Sequence, residues 1–151
     1  MMADAVVVNS RGEILLIKRA QNPFAKRWAL PGGFLDEDET LEETAAREAF
    51  EETNVRVCSP RLIGLFDDPR RDPDQKVTVA YAFRVKGSEK ARITDPNEVL
   101  GVRWVHPSKL SEYQLAFDHA DIIARYLANR PVHANVLQRI KDLLSCLKHR
   151  R

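Results

Sequence analysis

The chain has 151 residues, of which 44% are hydrophobic and 30% are charged, and its formal net charge is +2. This composition is typical of a single globular domain and excludes an intrinsically disordered chain. The small net charge gives no indication of a nucleic-acid partner.

The expected compartment is the cytoplasm. No apolar run approaches the ~20 residues of a membrane helix, so we expect no contact with a membrane. The first residues lack the basic start and apolar stretch of a signal peptide. Cys58 and Cys146 have no metal-type spacing, and we expect both to be reduced thiols.

The start of the chain predicts a β-hairpin followed by a turn. Apolar runs at residues 5–8 and 14–17 flank a short loop that contains Gly12, which is the pattern of two strands joined by a hairpin loop. A further strand-like run begins at Trp28, and Gly32 with Gly33 is expected to turn the chain.

An α-helix is predicted from Thr40 to about Thr53. Thr40 and Glu43 have the spacing of a capping box, in which each side chain accepts a free N–H of the first turn. Asn54 is suited to the left-handed conformation that ends many helices.

The rest of the chain mixes strands and helices. Strands are predicted at residues 62–66, 77–85 and 102–105, and the alternation in the second of them indicates a half-buried strand. Helices are predicted after Pro107, at about 117–129 and at about 132–147. This order gives an α/β or α+β fold with a mixed sheet between helices.

We expect residues 1–151 to form one domain, with residues 131–151 as an additional C-terminal helix. Apolar residues at helical spacing along that helix dock on the domain or, alternatively, pair with a second subunit. The sequence is therefore compatible with either a monomer or a homodimer.

The helix at 40–53 carries acidic side chains on one face. Glu48, Glu51 and Glu52, at i, i+3 and i+4, fall within an arc of roughly 100°. These carboxylates repel one another, and a divalent cation such as Mg²⁺ would relieve that repulsion. The alternative interpretation is a solvated acidic helix.

Two neighbouring features favour the metal site. Arg47 stands among the acids and can fork onto a carboxylate. Gly32 and Gly33 allow the backbone to approach a ligand closely.

These residues resemble the Nudix box of Nudix hydrolases, G-x5-E-x7-R-E-U-x-E-E-x-G-U, in which U is a bulky apolar residue. The positions in register are Gly33, Glu39, Arg47, Glu48, Glu51, Glu52 and Val55. Asn54 stands where the family has Gly, and Ala49 is smaller than the usual apolar residue. The resemblance covers roughly residues 3–130, and the final helix lies beyond it.

The resemblance implies an α/β/α sandwich with a mixed central sheet. It implies attack of water on a nucleoside diphosphate linked to another group, with Mg²⁺ as cofactor and Mn²⁺ as a possible substitute. The implied metal ligands are Glu48, Glu51, Glu52 and the Gly33 carbonyl.

The same resemblance implies supporting roles outside the ligand set. Arg47 would orient a glutamate, and Glu39 would brace the loop before the helix. Three alternatives are open for the general base: Glu98, in a loop six positions before Trp104, one of the glutamates at 51 and 52, or another group.

Substrate choice depends on loops outside the box. Residues 67–73 and 115–119 resemble segments of ADP-ribose pyrophosphatases, so the favoured reaction converts ADP-ribose to AMP and ribose 5-phosphate. The candidate substrate-binding residues are Arg19, Arg27, Gly32, Arg70 and Arg71.

Structural roles compete with these assignments. Arg70 and Arg71 alternatively pair with nearby aspartates to fix their loop, and Arg19 and Arg27 alternatively lie at the surface. Asp118 is expected to cap the following helix. His119, the next residue, is expected to serve packing or capping.

Two other functions compete with ADP-ribose hydrolysis. One is a pyrophosphohydrolase for another nucleotide, such as an oxidised nucleoside triphosphate or a dinucleotide. The other is a module that binds ADP-ribose without cutting it. The intact acids of the box favour an enzyme, because a sensor has no need for mutually repelling carboxylates.

Overall fold

The computed structural model of the chain describes residues 1–129. These residues form seven strands, two α-helices and a 3₁₀ helix at Pro107–Glu112. The strands are β1 (Met2–Val8), β2 (Ile14–Arg19), β3 (Trp28–Ala29), β4 (Gly32–Phe34), β5 (Val57–Phe66), β6 (Thr78–Val85) and β7 (Val99–Val105), and the helices are α1 (Leu41–Thr53) and α2 (His119–Ala128).

Two predictions concern residues that the structure does not describe. The helix expected at 132–147, and with it the C-terminal addition at 131–151, lies outside the described residues. The apolar residues that would mediate a homodimer belong to the same segment. The single-domain organisation and the homodimer therefore remain predictions.

All the strands pair into one mixed sheet. Its order is β3-β2-β1-β6-β5, with β4 also beside β1 and β7 also beside β2. Strand β1 runs parallel to β6 along its whole length and antiparallel to β2 and β4. The predicted hairpin of β1 and β2 is present.

The sheet is covered by a helix layer on each face. Alternate residues of β1 divide between two cores, with Ala5 and Val7 in the core that includes residues of α1, and Val6 in the core that includes residues of α2. This arrangement confirms the expected α/β/α sandwich.

Coverage on both faces corrects the expectation for β6. The small residues Thr78 and Ala80 are completely buried, although the alternation had indicated a half-buried strand. The reason is that β6 contributes to both cores, with Ala80 in one and Phe83 in the other, and Arg84 near its end is its exposed residue.

The predicted turn at Gly32 and Gly33 is also wrong, because these residues form part of β4. Gly32 pairs with Asp4 of β1, and a Cβ at Gly32 would overlap the carboxylate of that aspartate. The pairing of β4 with β1 therefore requires a residue without a side chain at position 32.

Helix α1 begins and ends as its sequence predicts. Thr40 and Glu43 form the reciprocal bonds of a capping box, and Asn54 ends the helix with φ 60° and ψ 18°. A left-handed asparagine at the C-cap is compatible with the position where a glycine was expected.

Two findings concern the expected compartment. Within residues 1–129, neither α-helix has the length and apolarity needed to cross a bilayer. Cys58 is disulfide-bonded, so the expectation of a reduced thiol is wrong at this position.

Candidate active site

Arg47 is the centre of the charged cluster on α1. Its guanidinium binds Glu39 through two bonds, from Nε at 2.6 Å and from Nη2 at 3.1 Å. Its Nη1 donates to both Glu48 and Glu51 at 2.9 Å, and Nη2 also donates to the Phe34 carbonyl. One side chain thus connects Glu48 and Glu51 with the loop before the helix.

Glu39 is held in its ionised form by these contacts. The Arg47 hydrogen bonds lower the pKa of Glu39 to about 2, with further bonds from the Thr44 hydroxyl and the Asp36 backbone N–H. Glu39 therefore connects its loop to α1. The predicted bracing role requires such a connection.

Glu48 lies against the backbone of β4. Its side chain is only 16% exposed, and a Cβ at Gly33 would overlap its carboxylate. Burial raises the pKa of Glu48, and the Arg47 guanidinium opposes that rise. The glycine is required because the carboxylate fills the space that a side chain would take.

Glu52 accepts the backbone N–H of Gly32 at 3.1 Å. Burial raises the pKa of Glu52 well above its usual value, and the charges of Glu48, Glu98 and Asp4 raise it further. Arg47 makes no hydrogen bond to this carboxylate among the described residues. The third box acid, Glu51, is the most exposed of the three.

The carboxylate oxygens fit a divalent metal by their chemistry. Mg²⁺ usually takes one or two carboxylates together with waters and phosphate oxygens. The charge of Glu52 is disfavoured by burial and by neighbouring acids, and a cation beside it would stabilise that charge. Within residues 1–129 no three acidic, histidine or cysteine side chains are already grouped to hold an ion. Arg47 engages Glu48 and Glu51 instead.

Glu98 lies near this cluster although it is distant in sequence. It is exposed, in the turn before β7, and its charge raises the pKa of both Glu48 and Glu52. Its backbone carbonyl accepts the N–H of Ala20, which fixes the turn beside β2.

The two neighbouring arginines of the 67–73 loop differ in environment. Arg70 is exposed and forks onto Asp68, with contacts of 3.0 and 2.6 Å. Arg71 is buried and pairs with Asp118: its Nε donates to Oδ2 at 2.9 Å, and its Nη2 lies 2.8 Å from Oδ1. Both placements favour the loop-fixing alternative, but Arg71 takes a partner that had not been expected.

The expected cap of α2 is therefore incorrect. Asp118 occupies the N-cap position, but its side chain makes no capping hydrogen bond because it is turned to Arg71. His119 is buried, as its packing interpretation predicted.

The two early arginines lie on aromatic rings. Arg19 donates to the Pro23 carbonyl, and its guanidinium lies 4.9 Å from the Phe117 ring centre. Burial lowers the pKa of Arg19, and the charge of Glu52 opposes this. Arg27 is exposed and lies over another ring. Arg19 is thus the early arginine that interacts with the carboxylate cluster.

Sequence reasoning missed a buried polar group behind β4. Asp4 and His119 are each 3% exposed, and burial raises the pKa of Asp4 to about 7. The available signal was the position of Asp4 as a lone acid among apolar strand residues.

A cavity of about 610 Å³ lies between β5 and α2, away from the box glutamates. Its lining includes Leu65, Phe66, Arg70, Arg71, Phe117 and Arg125.

Comparison with known proteins identifies relatives of this chain. A family model described as NUDIX domain matches residues 2–126. An ADP-ribose pyrophosphatase of Methanocaldococcus jannaschii is 36% identical over 122 residues, which cover 80% of this chain and 69% of that protein. A MutT-like protein of Streptomyces ambofaciens is 40% identical over 71% of this chain and 64% of its own length, which is less than two thirds. The ADPR responsive transcriptional repressor NtrR of Acinetobacter baylyi is 31% identical over 77% of this chain and only 47% of the repressor.

Solved structures show the same similarity. The NUDIX domain of Shewanella oneidensis NrtR complexed with ADP ribose has a TM-score of 0.78 and 30% identity, over 86% of this chain and 87% of that one. A bifunctional NMN adenylyltransferase/ADP ribose pyrophosphatase from Francisella tularensis, complexed with AMP and a Mn ion, has a TM-score of 0.71 and 27% identity. That match covers 84% of this chain and 40% of the bifunctional protein.

Proposed function

This chain belongs to the Nudix hydrolase family, and on that basis we propose that it hydrolyses ADP-ribose to AMP and ribose 5-phosphate with Mg²⁺. The observation that carries the proposal is the placement of Glu48 and Glu52. Both carboxylates are partly buried on one side of α1, beside the backbone of Gly32 and Gly33. Their chemistry suits a cation that also binds a diphosphate.

The metal would be held by Glu48 and Glu52, with the Gly33 carbonyl and the more exposed Glu51 completing the set. When bound, the ion would neutralise diphosphate oxygens and lower the pKa of a bound water. Mn²⁺ is the proposed substitute, which the Mn ion in the Francisella tularensis relative supports. Arg47 keeps Glu48 and Glu51 oriented through one nitrogen, and Glu39 fixes Arg47.

Glu98 is the proposed general base, which would take a proton from the attacking water. It lies close enough to Glu48 and Glu52 to raise their pKa values. No hydrogen bond engages its side chain among the described residues, whereas Glu51 is engaged by Arg47. Glu52 is less suited because a backbone N–H already occupies one of its oxygens.

Arg19 is the proposed contact for the substrate diphosphate. Its guanidinium is partly buried and is affected electrostatically by Glu52, so it lies on the side of the cluster that faces β2. A planar, permanently charged guanidinium suits a phosphate group. ADP-ribose itself is supported by the relatives, since two of those compared are named for its hydrolysis and one structure contains it.

The experiment is a substrate panel with product identification. The full chain is incubated with Mg²⁺ and ADP-ribose, an oxidised nucleoside triphosphate or a dinucleotide, and products are separated by chromatography. We expect AMP and ribose 5-phosphate from ADP-ribose. Preferential cleavage of another nucleotide would overturn the substrate, and binding of ADP-ribose without cleavage of anything would indicate a sensing module.

A pair of variants on α1 tests the metal site. Glu52→Gln should lower turnover by at least about 100-fold. It should not lower the melting temperature, because burial already disfavours the charge that the substitution removes. Glu42→Gln, at an exposed position of the same helix, is the control and should keep normal turnover. Normal turnover in Glu52→Gln would contradict the assigned site.

A further inference from the structure

A buried hydrogen bond connects the first turn of α2 with the segment that leads into β4. His119 Nδ1 accepts the backbone N–H of Leu30 at 2.9 Å, and the His119 residue is 3% exposed. Because Nδ1 accepts, the ring proton lies on Nε2. That nitrogen lies 3.6 Å from Asp4 Oδ2, beyond hydrogen-bond distance, so the ring lies between Leu30 and β1 and its hydrogen bond is to Leu30.

The ring is neutral under ordinary conditions. Burial lowers the pKa of His119 to about 3, and the charges of Arg71 and Arg19 act in the same direction. A protonated ring would carry a hydrogen on Nδ1 and lose the Leu30 bond.

The start of α2, which carries His119, is held in place by a neighbouring ion pair. Asp118, the residue before His119, is held by two contacts from the buried Arg71 guanidinium. Arg71 also donates to the Lys76 carbonyl, just before β6. The start of α2 is therefore tied to the sheet independently of Leu30.

The segment after Leu30 carries the backbone groups of the candidate active site. Gly32 donates its N–H to Glu52, and Gly33 lies against the Glu48 carboxylate. The other side of Gly32 is closed by Asp4, whose Oδ1 occupies the place of a Cβ. A displacement at Leu30 would thus shift the backbone on which both glutamates rest.

We propose that His119 is a positioning residue, which acts through Leu30 to hold the Gly32–Gly33 backbone against Glu48 and Glu52. The inference rests on the proposed function for its effect on turnover. Its structural part is independent, because it concerns two backbone amides that are measurable without metal or substrate.

The test compares two substitutions of the same ring. His119→Asn keeps an acceptor at the δ position, whereas His119→Leu fills similar space without an acceptor. Amide hydrogen exchange of Leu30 and Gly32 is measured by NMR in the metal-free full chain, alongside kcat, KM and the melting temperature. In the wild type we also expect a scalar coupling between the Leu30 amide nitrogen and His119 Nδ1.

The expected outcome separates the two variants. His119→Leu should raise exchange at Leu30 and Gly32 by at least about tenfold. It should lower kcat by about 10- to 100-fold, the usual effect of removing a partner behind the ligands, with little change in KM. His119→Asn should restore exchange protection and most of kcat. If His119→Leu does not fold, His119→Gln replaces it, since its amide is one methylene further from the backbone.

Two results would overturn the positioning role. One is unchanged Gly32 exchange in a folded variant without the δ acceptor. The other is an equal loss of kcat in His119→Leu and His119→Asn that is explained by an equal loss of melting temperature. Absence of turnover in the wild type would overturn the proposed function instead, and the exchange measurement would still decide the role of His119.

Discussion

The backbone of Gly33 lies directly against the carboxylate of Glu48, so that a Cβ at position 33 would overlap Oε1. Gly33→Ala should therefore rotate Glu48 away while the fold persists, because the obstacle is the end of a flexible side chain. We expect turnover to fall by about 100-fold, the cost of a misplacement near 1 Å. Steady-state kinetics and thermal melting measure the two effects.

Gly101→Ala is the matched control for Gly33→Ala. A Cβ there would lie 3.4 Å from the Trp28 ring and 3.5 Å from Lys18 Cβ, which is close to ordinary contact. Both positions are strand glycines, so any general cost of replacing glycine is shared. Equal losses of turnover in the two variants would contradict a specific role for Gly33.

Arg71 and its neighbour Arg70 should respond differently to the same substitution. Arg71→Met leaves the mostly buried Asp118 without its partner, which should cost about 3–5 kcal/mol of unfolding free energy. Arg70→Met removes an exposed, solvent-screened pair with Asp68 and should leave the unfolding free energy nearly unchanged. Denaturant unfolding of both variants gives these values.

Kinetics of the same two variants test the predicted substrate contacts. Arg70 is exposed beside the cavity, so a rise in KM in Arg70→Met with unchanged stability would support a contact with substrate. A KM effect confined to Arg71→Met, without loss of stability, would contradict the structural role that burial assigns to Arg71.

Glu39 should make a pH-dependent contribution to stability. Its folded pKa of about 2 is below its usual value of 4.5, so the ionised form is favoured by folding. This contribution is complete above the usual pKa and is lost as the pH falls towards 2. The melting-temperature difference between wild type and Glu39→Gln should therefore be largest near neutral pH and shrink in acid.

Glu37→Gln serves as the control for Glu39→Gln in the same loop. Glu37 is exposed, and among the described residues its side chain makes no hydrogen bond. Its melting-temperature difference from wild type should stay small at every pH. A constant difference for Glu39→Gln across the acid range would argue against the ion pair with Arg47.

Local patterns in the sequence predicted much of the fold. The capping box of Thr40 and Glu43 and the stop at Asn54 determine α1, and each depends only on residues within one or two turns. The strands other than β4 were recognisable from their apolar runs. Strand β4 was not, because its pairing with β1 depends on a glycine that accommodates Asp4, a residue distant in sequence.

The candidate site likewise has a part that local sequence patterns predict and a part that depends on long-range contacts. Glu48, Glu51 and Glu52 share a helix, so their proximity follows from helical geometry. Long-range contacts were not predictable, since no pattern links Arg71 to Asp118 or His119 to Leu30. These pairs are 47 and 89 residues apart, and only the packed sheet brings them together.

Glu98→Gln tests the proposed general base. The variant removes a proton acceptor near Glu48 and Glu52 without touching their hydrogen bonds, so turnover should fall by about 100-fold or more. Affinity for Mn²⁺, measured by electron paramagnetic resonance, should change little. Glu112→Gln, at another exposed acid, is the control and should keep normal turnover. A parallel loss of Mn²⁺ affinity would make Glu98 a metal ligand. Near-normal turnover would instead assign the general base to Glu51 or Glu52 of α1, which share the cluster on which the charge of Glu98 acts.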